Sequence, residues 1–363
     1  MAILDKIFAK AVELKASDIH IVPDEPIVFR LLGRLRKLKS SVLTRQQCSE
    51  MIPELLNPEQ KAVLKQNRQI DFVYEQEGIG RFRGSAMEHQ RGMSAVFRII
   101  PPQIPTLDEL GMPRTIHRIL DEHQGLILVT GTTGHGKSTT MAAMIDYINT
   151  NRPHHILTIE DPIEFIHPFK KGVVNQRQLG ASTLSYANAL RGALRQDPDV
   201  IVIGELRDLE TISLAITAAE TGHLVIGTLS TSSAPKTIDR IIDSFPSKEQ
   251  NQVRAMLSEA LKAVITQRLI PGADGTRMEL ALEILIGTLA VGNLIKDSKT
   301  FQIPSIMQTG KTAGMRLMDE SLMALFMEKK ITAADAAANA LQPEKFAQWL
   351  EKDGKTAKPD TKA

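Results

Sequence analysis

Cysteine is almost missing from this chain: Cys48 is the only one in 363 residues. One thiol excludes an intramolecular disulfide framework and any multi-cysteine zinc site, and it points to a reducing, cytosolic setting. Cys48 itself reads as a small side chain within a helix. No run of 18 or more apolar residues occurs, so no membrane insertion is expected. The start, Met1-Ala2-Ile3-Leu4-Asp5-Lys6, has no long apolar core of the signal-peptide kind, and export is not expected. Charge of one sign is also lacking, with 44 Lys and Arg against 42 Asp and Glu and a formal net charge of +2. That balance argues against nucleic acid as an obligate partner. No internal repeat is visible. What is present, 42% hydrophobic and 24% charged residues, is ordinary for a soluble globular protein. The length accommodates two domains, each with its own core.

Residues 1–100 read as a small α+β domain. Ile3, Leu4, Ile7, Phe8, Ala11 and Val12 recur at helical spacing, and Ser17-Asp18-Ile19-His20-Ile21 alternates as a strand does. Further strands are predicted over 27–32, 35–38, 69–74, 80–88 and 93–99, and helices over 44–55 and 58–66. Pro101-Pro102-Gln103-Ile104-Pro105 can sustain neither a helix nor a central strand, so 101–112 reads as an interdomain linker, mobile or a rigid extended strap. From 113 to 345, strands predicted at 126–130, 156–160, 200–203 and 224–228 alternate with helices at 138–149, 185–196 and 210–220. That is an α/β pattern, an open, mainly parallel, doubly wound sheet. Helical pattern resumes over 248–265, 316–328 and 333–341. Residues 346–363 read as a polar tail without fixed structure.

Residues 131–138, Gly131-Thr132-Thr133-Gly134-His135-Gly136-Lys137-Ser138, fit G-x-x-x-x-G-K-[ST] at every fixed position. An apolar run leads in and a helix-competent run, Ser138-Thr139-Thr140-Met141, follows, which is the strand–loop–helix context a phosphate-binding loop requires. Glycines let backbone N–H groups curl round phosphates, and the helix N-terminus adds positive potential. Lys137 is expected to reach the β- and γ-phosphates of ATP and Ser138 to place its hydroxyl on Mg2+.

Such a loop needs carboxylates. Asp199-Val200-Ile201-Val202-Ile203-Gly204-Glu205 is a Walker-B-like strand that ends in glutamate, either a water-mediated Mg2+ partner or a surface group paired with Arg207. Thr158-Ile159-Glu160-Asp161-Pro162-Ile163-Glu164-Phe165 brings three carboxylates together just after a predicted strand. One of them, Glu164 by preference, would polarise the attacking water; a solvated acidic loop is the alternative. His223, in Thr221-Gly222-His223, is either a γ-phosphate sensor or a satisfied core histidine. Arg81, Arg83, Arg91 and Arg98 occupy the last strands of the first domain, where they form a basic face or reach a neighbouring subunit's nucleotide.

Taken together, Gly131–Ser138, Thr158–Phe165, Val200–Asp208 and Ala219–Thr228 resemble the P-loop, Asp box, Walker B and His box of secretion-superfamily ATPases, and most closely the PilT-like type IV pilus retraction ATPases. Ala16-Ser17-Asp18-Ile19-His20, Gly80-Arg81-Phe82-Arg83, Val96-Phe97-Arg98 and Lys236-Thr237-Ile238-Asp239-Arg240 add to a likeness that runs from about residue 5 to 340. The resemblance implies a PAS-like N-terminal domain, a RecA-like P-loop NTPase domain and a ring-shaped homohexamer. It implies that Glu164 is the catalytic glutamate, that Glu205 works on the Mg2+ side, and that Arg83 and Arg98 face the nucleotide at a subunit boundary. The partners it implies are an inner-membrane pilus platform protein of the PilC-like kind and other pilus ATPases, with the motor peripheral at the cytoplasmic side of the inner membrane.

Two departures from that pattern stand out. PilT-like proteins usually carry a second histidine where this chain has Ser230. Their C-terminal Ala-Ile-Arg-Asn-Leu-Ile appears here as Ala290-Val291-Gly292-Asn293-Leu294-Ile295, with glycine in place of arginine. The alternatives to a retraction motor are therefore a weakly hydrolysing accessory paralogue and a pilus-assembly or type II secretion ATPase. The single cysteine argues against the latter, which usually carries a four-cysteine zinc element. A DNA-translocating ATPase is a more distant rival.

Overall fold

The computed structural model describes residues 2–38, 42–101 and 103–354. Its contacts divide into two units: residues 1–104 with Glu164–Ile166, and residues 105–163 with 167–363. The division falls after Ile104. Within the segment read as a linker, Leu107 and Met112 are buried in the second unit's core, where apolar side chains leave water.

The first unit begins with α1 (Ala2–Glu13) and the strands β1 (Asp18–Ile21), β2 (Val28–Leu31) and β3 (Arg34–Lys37). The helices α2 (Arg45–Glu54) and α3 (Pro58–Asn67) follow, then β4 (Gln69–Gln76), β5 (Gly80–His89) and β6 (Gly92–Ile100). The strands form a sheet in the order β3-β2-β1-β6-β5-β4, antiparallel at every pairing. Leu4, Phe8 and Ala11 lie one turn apart on α1 and are fully buried. The Phe8 ring stacks on Phe82 at 4.5 Å and meets Phe97 edge-on at 4.9 Å, which fixes α1 on the sheet. Thr44 and Asn57 cap α2 and α3 in reciprocal boxes with Gln47 and Gln60. Cys48 is a buried packing residue, as its helical context suggests.

The second unit opens with α4 (Arg114–Leu120) and runs through β7 (Gly125–Thr130), α5 (Lys137–Asn151), β8 (His155–Glu160) and β9 (Val173–Gln178). It continues with α6 (Tyr186–Ala193), β10 (Val200–Ile203), α7 (Leu209–Glu220) and β11 (Leu224–Leu229). After α8 (Ala234–Asp243) and α9 (Ser247–Ala260) come β12 (Leu261–Pro271) and β13 (Met278–Ile286). The last helices are α10 (Leu289–Lys296), α11 (Ile303–Thr309), α12 (Met318–Met327), α13 (Ala333–Asn339) and α14 (Ala347–Gly354). The sheet order is β13-β12-β7-β11-β10-β8-β9, parallel except for the β12–β13 pair. Leu126 and Leu128 of β7 face one core, Ile127 and Val129 the other, so both faces are covered by helices.

The expected helix over 248–265 ends at Ala260, and the chain continues as β12. The polar tail read from 346 onward is also corrected: Phe346 is fully buried beside Ile270, Met318 and Leu322, and residues 347–354 form α14. Two aromatic anchors account for this order, with the Trp349 ring 5.4 Å from Phe326 and 6.5 Å from Phe346. The rest of the tail, 355–363, lies outside the described residues. Among the described residues no helix is long and apolar enough to cross a membrane.

Candidate nucleotide site

The strands β7, β8, β10 and β11 run parallel and in register, so Thr130, Glu160, Ile203 and Leu229 end at one edge of the sheet. Carboxyl-end edges of this kind are where doubly wound sheets place ligands. The predicted phosphate loop leaves β7 at that edge. Gly131 and Gly136 hold φ values of +144° and +83°, and a Cβ at Gly131 would lie 2.6 Å from the Gln267 carbonyl. Only glycine fits the turn there. The N-cap of α5 is Gly136, and no side chain caps the helix, which leaves its first-turn N–H groups and its positive end for an anion. Thr132, Thr133 and Gly134 line the exposed rim, while Ser138 and Thr139 are half-buried in the first turn.

The Lys137 ammonium donates to the carbonyls of Gly131 at 2.7 Å and Thr132 at 3.2 Å. Burial pushes its pKa down, and the Glu205 carboxylate pulls it back up. A folded-back lysine over an uncapped helix start is an arrangement that phosphate oxygens can enter and satisfy, so these residues fit a nucleotide's polyphosphate.

The acidic side is tied together by one arginine. Arg207 Nε donates to Glu205 Oε2 at 2.6 Å, and Arg207 Nη1 lies 3.5 Å from Asp161 Oδ2. Glu205 Oε1 accepts a hydrogen bond from Ser230 Oγ at 3.3 Å. Ser230, the position that departs from the family pattern, thus touches the Walker-B-like carboxylate directly. Glu160 is buried, with Thr158 Oγ1 donating to it at 2.6 Å and Gln176 Nε2 at 3.0 Å.

Three expected residues are engaged within the first unit. Glu164, which groups with that unit, has its carboxylate 3.6 Å from Arg83 Nη1 and its carbonyl 2.9 Å from Arg81 Nη1. Arg98 Nε donates to Asp18 Oδ1 at 3.0 Å, and Arg30 lies 3.4 Å from the other oxygen. Arg83 and Arg98 are direct cross-strand partners; Arg83 pairs with Glu164, while Arg98 shares the Asp18 carboxylate with Arg30.

His223 is not brought to the cradle in this chain. Leu224 pairs with Gly125 at the start of β7, whereas Leu229 pairs with Thr130 at its end. At about 3.3 Å per residue, His223 lies roughly 20 Å along the sheet from the phosphate loop. Its Nδ1 donates to the Ala218 carbonyl at 3.1 Å, the behaviour of a structural histidine at a helix end. The six residues of β11 separate His223 from Ser230, so of the two roles the sequence left open the structural one fits its place.

Sequence reading missed β12. Gln267 Nε2 donates to the His135 carbonyl at 2.6 Å, and the Leu269 amide donates to His135 Nδ1 at 2.9 Å. The β-branched Val264-Ile265-Thr266 and the Asp274-Gly275 turn signal were the available clues to this strand.

A parallel sheet with helices on both faces and a glycine-rich loop feeding an uncapped helix defines a P-loop nucleotide-hydrolysing domain. Comparison narrows the class: residues 1–290 match the model of the family "Type II/IV secretion system protein", and the chain belongs to that family. It is similar to the type IV pilus retraction ATPase PilT of Pseudomonas aeruginosa, with 47% identity over 94% of this chain and 99% of that one. A twitching motility protein of Neisseria gonorrhoeae is also 47% identical, over 94% of this chain and 91% of its own. Among solved structures, the pilus retraction motor PilT with bound ADP superposes with a TM-score of 0.84 at 42% identity, covering 95% of this chain and 99% of that one.

Proposed function

We propose that this protein is a ring-forming ATPase whose hydrolysis of ATP drives type IV pilus retraction. The observation that carries the reading is likeness over 94% of this chain and 99% of a retraction ATPase, joined to an intact phosphate cradle. Gly131 to Ser138, with Thr139, bind the polyphosphate, and Lys137 trades its two carbonyl partners for phosphate oxygens. Ser138 and Glu205 are the residues to hold Mg2+, Glu205 partly through water; the ion neutralises charge on the transferred phosphoryl group. Glu164 orients the attacking water and takes its proton, and on this reading the Arg83–Glu164 pair opens during turnover. Arg83 and Arg98 then meet a neighbouring subunit's nucleotide in a homohexamer. The ring works at the cytoplasmic side of the inner membrane against a platform protein, alongside other pilus ATPases.

A second reading has its own observation. Ser230 holds Glu205 where retraction-type sequences carry histidine, and Gly292 is buried against α9, its Cβ position 3.0 Å from the Ser258 carbonyl. These two departures favour an accessory paralogue that hydrolyses ATP slowly.

The test is phosphate release by the full chain beside its Lys137→Ala and Glu164→Gln variants, together with deletion of the gene. A motor requires both variants to lose most turnover, by roughly a hundredfold or more. It also requires the deletion strain to accumulate surface pili and lose twitching. Wild-type rates in the variants reject the motor, and normal pili with slow turnover favour the accessory role.

A further inference from the structure

The strand β12 is longer than its neighbour. Its register with β7 ends at Thr266↔Thr130, where the two hydroxyls meet at 2.8 Å, yet the strand continues through Gln267 to Pro271 paired with β13 alone. The overhang presents main-chain groups on the side that β7 has vacated. The phosphate loop lies along it. Gln267 Nε2 holds the His135 carbonyl, and the Leu269 amide donates to the His135 ring. A Cβ at Gly136 would touch Gln267 Nε2 at 3.2 Å and Leu269 Cδ1 at 3.5 Å, so the loop seats closely on this rail.

His135 stands between Gly134 and Gly136, both at positive φ. Two such glycines make a loop with wide conformational freedom, and an uncapped helix start does not restrain it. Beside the Gln267 bond to its carbonyl, the His135 imidazole adds a restraint of its own, from a motif position whose side-chain identity the nucleotide-binding pattern leaves open.

We infer that His135 is a positioning residue, whose unprotonated Nδ1 latches the apex of the phosphate loop onto the overhang of β12 and thereby sets nucleotide affinity. The inference rests on nucleotide binding at this loop, as proposed above. The latch has a proton dependence. Nδ1 accepts from Leu269 only while it carries no proton; a doubly protonated ring has no acceptor to offer. Burial, Arg268 on β12 and Lys137 on α5 all push the His135 pKa below its ordinary 6.5. Arg268 is itself held, donating to the Asn339 carbonyl, and Lys137 feels Glu205. The latch is therefore closed at neutral pH, and it opens as pH falls below 6.5.

The experiment measures the affinity of the full chain for a fluorescent ADP analogue with Mg2+ between pH 5 and 8, for wild type, His135→Asn and His135→Leu. Amide exchange at Leu269 is followed in the nucleotide-free protein and corrected for the intrinsic rate. Asn places Oδ1 where the imidazole has Nδ1 and does not titrate. The expected result is wild-type affinity that weakens below pH 6.5 by about three- to tenfold, the scale of one lost hydrogen bond. His135→Asn should match wild type at pH 8 and lose on acidification only what protonation of the nucleotide's own terminal phosphate takes, so that the latch is read as the extra loss in wild type, and His135→Leu should be weak throughout. Leu269 protection should fall with pH in wild type and hold in His135→Asn.

Equal affinity for wild type and His135→Leu at pH 8 overturns the latch, as does an identical acid loss in wild type and His135→Asn. If His135→Leu does not fold, the wild-type and His135→Asn profiles decide the matter alone. A wild-type chain that binds no nucleotide at any pH defeats the functional reading. In that case the Leu269 protection profile still judges whether the latch itself forms and titrates.

Discussion

The two bonds to Glu205 differ in strength, and the difference can be measured. Arg207 makes a charge-assisted contact at 2.6 Å, whereas the Ser230 hydroxyl stands at 3.3 Å. Charge-assisted bonds contribute about 1.5–3 kcal/mol against about 1 for neutral ones, and a long neutral bond contributes less. Ser230→Ala should therefore change kcat by less than about threefold, while Arg207→Ala should lower it by roughly ten- to a hundredfold. Steady-state phosphate release over a range of ATP separates the two, and equal effects would mean that Arg207 does not orient this carboxylate. A second residue-scale prediction concerns stability. His167 is buried, its pKa lowered from 6.5 to about 4 because burial disfavours the charged ring. In the unfolded chain it takes up a proton first as pH falls. Its contribution is complete above pH 6.5 and declines through to about pH 4, by up to about 3 kcal/mol in all. His167→Gln should flatten that part of the acid melting curve, and a curve of unchanged slope would contradict the assignment.

At the scale of elements, the seam between α9 and α10 is set by Gly292. A Cβ at that position would press on the Ser258 carbonyl at 3.0 Å, and residue 292 is buried. Restoring the arginine of retraction-type sequences would force a long cationic side chain into that seam. Gly292→Arg should lower stability by about 2 kcal/mol or more, seen as a fall of a few degrees in Tm. An unchanged midpoint would show that α10 can move aside. Legibility in the sequence also divides by element. The strands β7, β8, β10 and β11 were readable because strands buried on both faces are continuous apolar runs. The edge strand β9, Val-Val-Asn-Gln-Arg-Gln, has only two apolar residues and left no pattern. The start of β12 continues a helix-competent run without a glycine or proline break, so periodicity alone could not end α9 at Ala260. The cradle was legible because its glycines are required by backbone geometry. The contacts of β12 with the loop were not, because they run through the Leu269 main chain and one amide side chain. Between the two roles the sequence left open for His223, its bond to the Ala218 carbonyl at the start of β11 favours the structural one, and only the direction of that strand could tell them apart.

At the scale of the whole molecule, the proposed ring asks something of every chain at once. Arg83 and Arg98 are satisfied by Glu164 and Asp18 within this chain, and neither pair is fully buried. Partly exposed ion pairs are worth little, commonly below about 1 kcal/mol, so exchanging them for a neighbour's phosphates is energetically accessible. An arginine supplied in trans changes turnover by about 10³–10⁵ in related chemistry, so each active site would depend on the adjacent subunit. Mixing then distinguishes independent subunits from a coupled ring. Lys137→Ala chains, mixed one-to-one with wild type and allowed to exchange, halve the rate if each subunit acts alone. In a closed ring whose subunits must turn over in concert, a Lys137→Ala chain still lends its arginine but stalls the ring at its own empty cradle, and the rate should fall far below half. Arg83→Ala chains should complement Lys137→Ala chains in part, because a ring containing both can still juxtapose an intact cradle with an intact arginine. A strictly linear decline and no complementation would place the arginines outside catalysis and leave them as the ion pairs seen within one chain.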